Sequence, residues 1–249
     1  MAAKSGSKRV APVKGRVGKA AVVAKSRRRP STKVQQREEM MEQILDAAEY
    51  LFSRNGLHGV TLKDVAHRVG VHHTLLNYYF TDKERLFDEV IARRAGVTSS
   101  RRMAALDKYD AASKGKPTVE GALRAFLDTD LDLYGQGGEN WKNYGALGAW
   151  VSNTPYGAKL MDLHFDPVVL RLIGLIKKAL PDCPEEDLFW GYHFVTGALM
   201  LTLARTGRID TLSGGLCKSD DFEAVKQRMT AFMAAGFMAI YEKSKKSKR

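Results

Sequence analysis

Between positions 72 and 79 the chain reads HHTLLNYY, and its polar side chains are spaced to act together. His73 with Asn77, and Thr74 with Tyr78, are i, i+4 pairs that share one face of a helix. Leu76 and Phe80 repeat the same spacing and point inward. A short amphipathic helix that shows only hydrogen-bonding groups outward suits base-pair edges in the DNA major groove. Asn77 can pair bidentately with an adenine edge, and Thr74 can touch a thymine methyl. A second set of large side chains with polar tips lies further on: Trp141, Tyr144, Trp150, His164, Phe165, Trp190 and His193. An apolar cavity with a few such tips is the usual make-up of a small-molecule pocket, and these seven are its candidate lining. The same side chains also build ordinary packed cores.

Other chemistry has no foothold. No GxSxG, Gly-rich phosphate loop, HExxH or paired-cysteine motif occurs, so no catalytic residue, metal ligand or cofactor is expected. His72 and His73 are adjacent and point differently, which suits neither metal ligation nor proton relay. Cys183 and Cys217 stand alone, as in proteins of a reduced cytoplasm. No stretch approaches about 18 uninterrupted apolar residues, so no membrane partner is expected.

The reading residues need elements that hold them, and the flanking sequence supplies these. Thr61 with Asp64 three residues on forms a capping box that opens a helix. Val65 and Val69 give that helix an inner face, and Gly70 ends it where the sharp turn asks for a residue without a Cβ. Val71 plugs the turn, and His72 begins the second helix, through Tyr79. Thr81 with Glu84 reads as a second capping box, opening a third helix through Leu86, Phe87, Val90 and Ile91 to about Arg102. Ahead of them a helix over Gln35–Arg54 carries Met41, Ile44, Leu45, Ala48, Leu51 and Phe52 on one face.

The stretch GVTLKDVAHRVGVHHTLLNYYFTDKERLF resembles the DNA-binding signature of the TetR family of transcriptional regulators. The shared features are a Thr-initiated helix, a Gly-Val turn, a tyrosine-rich end to the recognition helix, then Phe, a short linker and Lys-Glu. The resemblance covers roughly Arg37 to Val90. Carried over position by position, it implies DNA contacts from Lys63, His73, Thr74, Asn77, Tyr78, Tyr79 and Lys83. It also implies a small effector bound in the C-terminal domain. His72 stands where a small hydroxyl cap is usual, and Asn77 where Tyr is usual, which leaves the operator sequence open.

Charge is distributed unevenly along the 249 residues, which carry a net +12. Residues 1–37 hold twelve Lys and Arg and no acid, whereas residues 38–241 hold 23 basic and 27 acidic side chains. The excess therefore sits on the ends, where beside a DNA reader it can neutralise phosphates. Residues 1–34 lack any helical apolar stripe and are expected to form a disordered basic arm. Residues 35–82 are expected as the helix-turn-helix domain, 83–242 as a helical effector-binding and dimerisation domain, and 243–249 as a basic tail.

Within 83–242, Lys108–Pro117 reads as a polar loop, Thr118 as a cap, and Pro155–Pro167 as a broken region where a pocket mouth could form. Glu185–Thr206 and Asp221–Glu242 are each apolar on two faces. In the second, Phe222, Val225, Met229, Phe232, Gly236 and Ala239 are set on one side, with Met233, Phe237 and Ile240 on another. A helix apolar on two faces buries both, and a four-helix bundle across a two-fold axis is the economical arrangement, so a homodimer is expected.

No strand pattern survives, and the fold class is all-α. The expected function is a cytoplasmic regulator, nucleoid-associated when bound, that a small, largely apolar effector releases from a double-stranded DNA operator. An architectural DNA-binding protein without ligand control and a small-molecule enzyme are the alternatives.

Overall fold

The computed structural model describes residues 32–247, and all of its regular structure there is helical. The expected arm lies outside the described residues up to position 31, as do the last two residues of the tail. Helix α1 spans Lys33–Asn55, two residues earlier than the apolar stripe suggested, because Thr32 and Gln35 cap one another at its start. Ile44, Leu45, Ala48 and Phe52 form its buried face. Helices α2 (Leu62–Val69) and α3 (His73–Tyr79) follow. The next helix, α4, runs unbroken over Lys83–Ser113.

Two sequence expectations fail around α4. Its cap is Asp82, whose carboxylate accepts from the Arg85 N–H at 2.7 Å, while the Thr81 hydroxyl merely donates to Asp82 at 3.2 Å. A carboxylate at a helix start satisfies an orphan N–H and also complements the dipole, so it outcompetes the neighbouring hydroxyl. The helix also continues about three turns past Arg102, because Arg102 and Leu106 are buried one turn apart against α5 (Val119–Gln136).

Helix α6 spans Glu139–Val151 and α7 spans Pro155–Ala179. The expected break between Pro155 and Pro167 is absent. Pro155 occupies the first helical position, where a missing N–H is harmless, behind a Thr154 cap on the Gly157 N–H at 3.0 Å. Pro167 lies inside the helix, and the Ser99 hydroxyl donates to the carbonyl of His164, three residues before it, at 2.7 Å. Val168, Val169 and Leu172 beyond the proline are buried, and that packing outweighs the lost backbone bond.

Helix α8 (Glu185–Ala204) and helix α10 (Phe222–Ser247) pack antiparallel, with a short α9 (Arg208–Leu212) in the loop between them. Ser244 donates to Asp187 at 2.6 Å, and Gly191 lies against the Phe237 ring so closely that any Cβ there would collide with it. The expected tail is thus helical as far as Ser247. Lys245 and Lys246 sit in the last turn of that helix, where positive charge is favoured. The faces of α10 also divide differently: Phe222, Met229, Phe237 and Tyr241 are core, while Phe232, Gly236 and Ala239 face outward.

One buried cluster runs from Ile44 of α1 to Tyr241 of α10, so α2 and α3 share a core with the rest of the chain. At the junction Trp150 of α6 meets Phe87 of α4 edge-on, with ring centroids 5.9 Å apart. The same indole packs over Gly56, whose φ is 65° and whose absent Cβ would stand 2.7 Å from the ring. Glycine is required there twice over, for its dihedral and for the space.

Candidate nucleic-acid interface and effector site

The reading unit is built by local hydrogen bonding. Asp64 accepts from the Thr61 N–H at 2.8 Å and from its hydroxyl at 2.7 Å, while the Thr61 hydroxyl oxygen accepts from the Asp64 N–H at 3.2 Å. The hydrogen bonds from Thr61 hold the Asp64 carboxyl below its ordinary range. Gly70, left-handed at φ 80°, ends α2 with its N–H on the carbonyls of Ala66 and His67. Val65 and Ala66 of α2 and Leu76 of α3 are buried, which fixes the angle between the helices.

That packing turns Thr74, Asn77 and Tyr78 outward, and all three are exposed. His73 and Tyr79 are half-buried at the edges of the same face. His72 caps α3 rather than beginning it: its Nδ1 accepts from the Thr74 N–H at 3.5 Å and lies 2.9 Å from the Thr74 hydroxyl oxygen. Lys63 is exposed on the first turn of α2. Lys83 is half-buried and folds back, its Nζ donating to the carbonyl of Val60 at 3.5 Å, so it ties α4 to the approach of α2. The sequence reading missed Arg37, whose guanidinium stands 5.8 Å over the Tyr79 ring and brings a charge beside α3. In the sequence it is one of the twelve basic residues of positions 1–37, and nothing there sets it apart.

The seven candidate ligand residues do not converge. Trp141 and Tyr144 meet edge-on at 6.0 Å and share Tyr134, a residue not singled out from sequence. Phe165 borders the Arg102 guanidinium at 6.0 Å. His164 is half-buried on α7, and Trp150 belongs to the junction described above. Trp190 and His193 are exposed on the outer face of α8, where Trp190 stacks on Phe194 and His193 meets both rings edge-on. They fall there because the buried stripe of α8 is Leu188, Gly191, Val195, Leu199 and Leu203. Surface clefts of about 250, 630 and 530 Å³ are lined by other residues, the first between the end of α5 and the start of α10.

Sequence reasoning also missed a polar interior. Arg102 of α4 and Asp130 of α5 pair at 2.6 Å, both nearly fully buried, with the Tyr134 hydroxyl donating to Asp130 at 3.3 Å. The Arg102 guanidinium lies 4.1 Å over the Phe126 ring. Burial pushes the Asp130 carboxyl up, with the charge of Arg102 opposing, and pushes the Tyr134 and Tyr144 hydroxyls up as well. Asp130 Oδ1 and Arg102 Nε have no hydrogen-bond partner. Nearer α1, buried Glu49 accepts from Arg93 at 2.9 Å and Arg94 at 2.6 Å, and Arg94 lies 4.8 Å over the Trp141 ring. Glu49 thus joins α1 to α4, and Arg94 joins both to α6.

Comparison with known proteins agrees with this architecture. Residues 44–90 match the DNA-binding domain described as "Bacterial regulatory proteins, tetR family". Residues 124–236 match "Tetracyclin repressor-like, C-terminal domain". The HTH-type transcriptional regulator BetI of Escherichia coli strain UMN026 is 25% identical over 172 residues, covering 67% of this chain and 83% of BetI. Among solved structures, the ketosteroid transcriptional regulator KstR2 of Mycobacterium tuberculosis superposes with a TM-score of 0.55 at 15% identity, covering 81% of this chain and 94% of that one. The hemolysin II transcriptional regulator HlyIIR gives 0.51 at 17% identity, covering 78% and 98%. With an N-terminal and a C-terminal family model together matching more than half of its residues, the chain belongs to the TetR family of transcriptional regulators.

Proposed function

We propose that the protein is a homodimeric repressor that leaves its operator when a small, largely apolar effector enters the C-terminal domain. The observation that carries the reading is α3, which buries Leu76 and turns Thr74, Asn77 and Tyr78 outward. Those side chains carry donors, acceptors and a methyl but no charge, so they suit bases rather than phosphates. Lys63 and Arg37 flank them and suit the backbone, while Lys83 fixes the angle of α4. Residues 35–82 are the reading domain in this proposal, and 83–242 bind effector and partner.

Dimerisation is supported by the outer faces of α8 and α10. Phe189, Trp190, Phe194, Leu201, Phe232 and Met238 are all exposed there. Large apolar side chains clustered on exposed helix faces mark a surface for a partner. Gly197 and Gly236 on the same faces have open space where a Cβ would be, room for a partner helix to approach closely. The effector site is proposed in the interior around Tyr134, Trp141, Tyr144 and Phe165, where the Arg102–Asp130 pair would orient a polar end of the ligand. Operator binding places the protein with the DNA, in the cytoplasm.

Selection from a random duplex library tests the reading, followed by titration of the selected operator with metabolites. A saturable complex at one selected sequence, dissolved by a specific compound, is the expected result. Binding that no compound alters would favour an architectural protein.

A further inference from the structure

We propose that His72 is a specificity-determining residue. Its Nδ1 is committed to Thr74, so its ring offers DNA one outward N–H donor, Nε2–H, and Thr74 offers its methyl and oxygen lone pairs instead of its hydroxyl proton. The inference rests on the DNA-reading role proposed for α3 and adds a contact and a polarity to it.

The tautomer follows from the hydrogen bonds. The Thr74 N–H lies in the first turn of α3, where no helical carbonyl is available to it, and it points at Nδ1 at 3.5 Å. A backbone N–H only donates, so Nδ1 must hold a lone pair and the ring proton must sit on Nε2. The Thr74 hydroxyl, 2.9 Å from the same nitrogen, then has its proton directed at Nδ1. The His73 ring, tilted against that of His72 with centroids 4.4 Å apart, limits how the imidazole can rotate.

His72 and Thr74 are both exposed at the start of α3, the helix that carries Asn77 and Tyr78. Nε2–H therefore complements an acceptor in the major groove: guanine N7 or O6, adenine N7, or thymine O4. Thr74 complements an amino group of cytosine or adenine, or a thymine methyl, and cannot donate to guanine. A serine or threonine in place of His72 would cap the helix equally well but would stop well short of where Nε2 lies.

Two measurements test this on the full-length protein. Nitrogen-15 spectra of histidine-labelled protein at about pH 8 should show His72 with Nδ1 unprotonated and Nε2 protonated; an Nδ1–H signal overturns the proposal. His72→Ser and His72→Thr should both keep the wild-type melting temperature, because each supplies a hydroxyl cap. On the sequence selected by the wild type, both should bind roughly ten- to a hundred-fold more weakly, with random duplex affinity changed less than about threefold. Repeated selection with either variant should relax one base position per half-site. Operator binding equal to wild type would reduce His72 to a cap. Equal losses on operator and random DNA would make it a backbone contact. Either result overturns the assignment while leaving the repressor reading intact, whereas a wild type that selects no sequence overturns both.

Discussion

Replacing Arg102 with Met isolates the buried ion pair, because Met keeps the aliphatic bulk against Phe126 and removes only the charge and its donors. Asp130 would keep a single hydrogen bond, the 3.3 Å one from Tyr134, with Oδ1 unpartnered as it already is. Stranding one member of a buried pair costs about 3–5 kcal/mol. Asp130 has an escape, which is to bind a proton. From an unfolded pKa of about 3.9, neutralising a carboxylate at pH 7 costs about 4 kcal/mol, and each pH unit changes that by about 1.4 kcal/mol. The loss at pH 7 is therefore about 3–4 kcal/mol, a large share of the roughly 5–15 kcal/mol that holds a domain together.

The sign of the pH dependence follows from the raised carboxyl. Between the unfolded pKa and the higher folded one, native R102M binds more protons than its unfolded chain, so its stability rises as pH falls. In the wild type Arg102 opposes that shift, and the same dependence is weaker. Urea unfolding followed by circular dichroism at about pH 6, 7 and 8, at one fixed protein concentration, reads the gap between the two proteins. The gap should widen toward pH 8 and narrow toward pH 6. R102M/D130L, with no buried charge left, should recover most of the loss. A gap below about 1 kcal/mol, or one that ignores pH, would refute the reasoning.

Asn77→Ala should weaken the selected operator by roughly 1–3 kcal/mol and leave random DNA nearly unchanged, as measured by fluorescence anisotropy on both duplexes. Phe232→Glu places a charge on a side chain that is 74% exposed, so the fold should tolerate it. In sedimentation the wild type should run as a dimer of the 27.7 kDa chain and the variant as the monomer; an undisturbed dimer would locate the interface elsewhere. The N-terminal arm lies ahead of a segment, residues 38–94, with seven basic and ten acidic side chains. Deleting residues 1–31 should therefore weaken operator and random DNA alike and flatten the slope of log affinity against log salt by roughly 2–4 units. A salt titration with an unchanged slope would show that the arm neutralises no phosphates.

The features legible in the sequence were those decided within a few residues. Thr61 with Asp64, the Gly70 turn, and the 73/77 and 74/78 spacing each depend on neighbours one helical turn away. The choice of Asp82 over Thr81 was harder, since both can cap and both stand at the right distance from the helix. Pro167 misled because its effect is settled by tertiary packing, the burial of Val168, Val169 and Leu172 beyond it. Arg102 resembled a solvated surface residue, and nothing local announces that Asp130 waits for it in the core. The aromatic set fared the same way: a tryptophan on α8 reads identically whether its face of the helix meets the core, as Leu188 does, or water, as Trp190 does.

The three tryptophans happen to stand at three different joints of the molecule. Trp141 lies under the Arg94 guanidinium beside the proposed effector site, Trp150 is wedged over Gly56 where the reading helices meet the rest, and Trp190 is 52% exposed on α8. Their indoles therefore sit in three unlike surroundings: beside a cation, in an apolar wedge, and on the helix face proposed for the partner. Two Trp→Phe substitutions at a time would leave proteins that each glow from a single joint. In the Trp190 protein, dilution should shift emission to longer wavelength and open the indole to iodide quenching as the partner leaves. An effector would disturb Trp141 first, and the delay before Trp150 responds would time the passage of the signal from pocket to reading head.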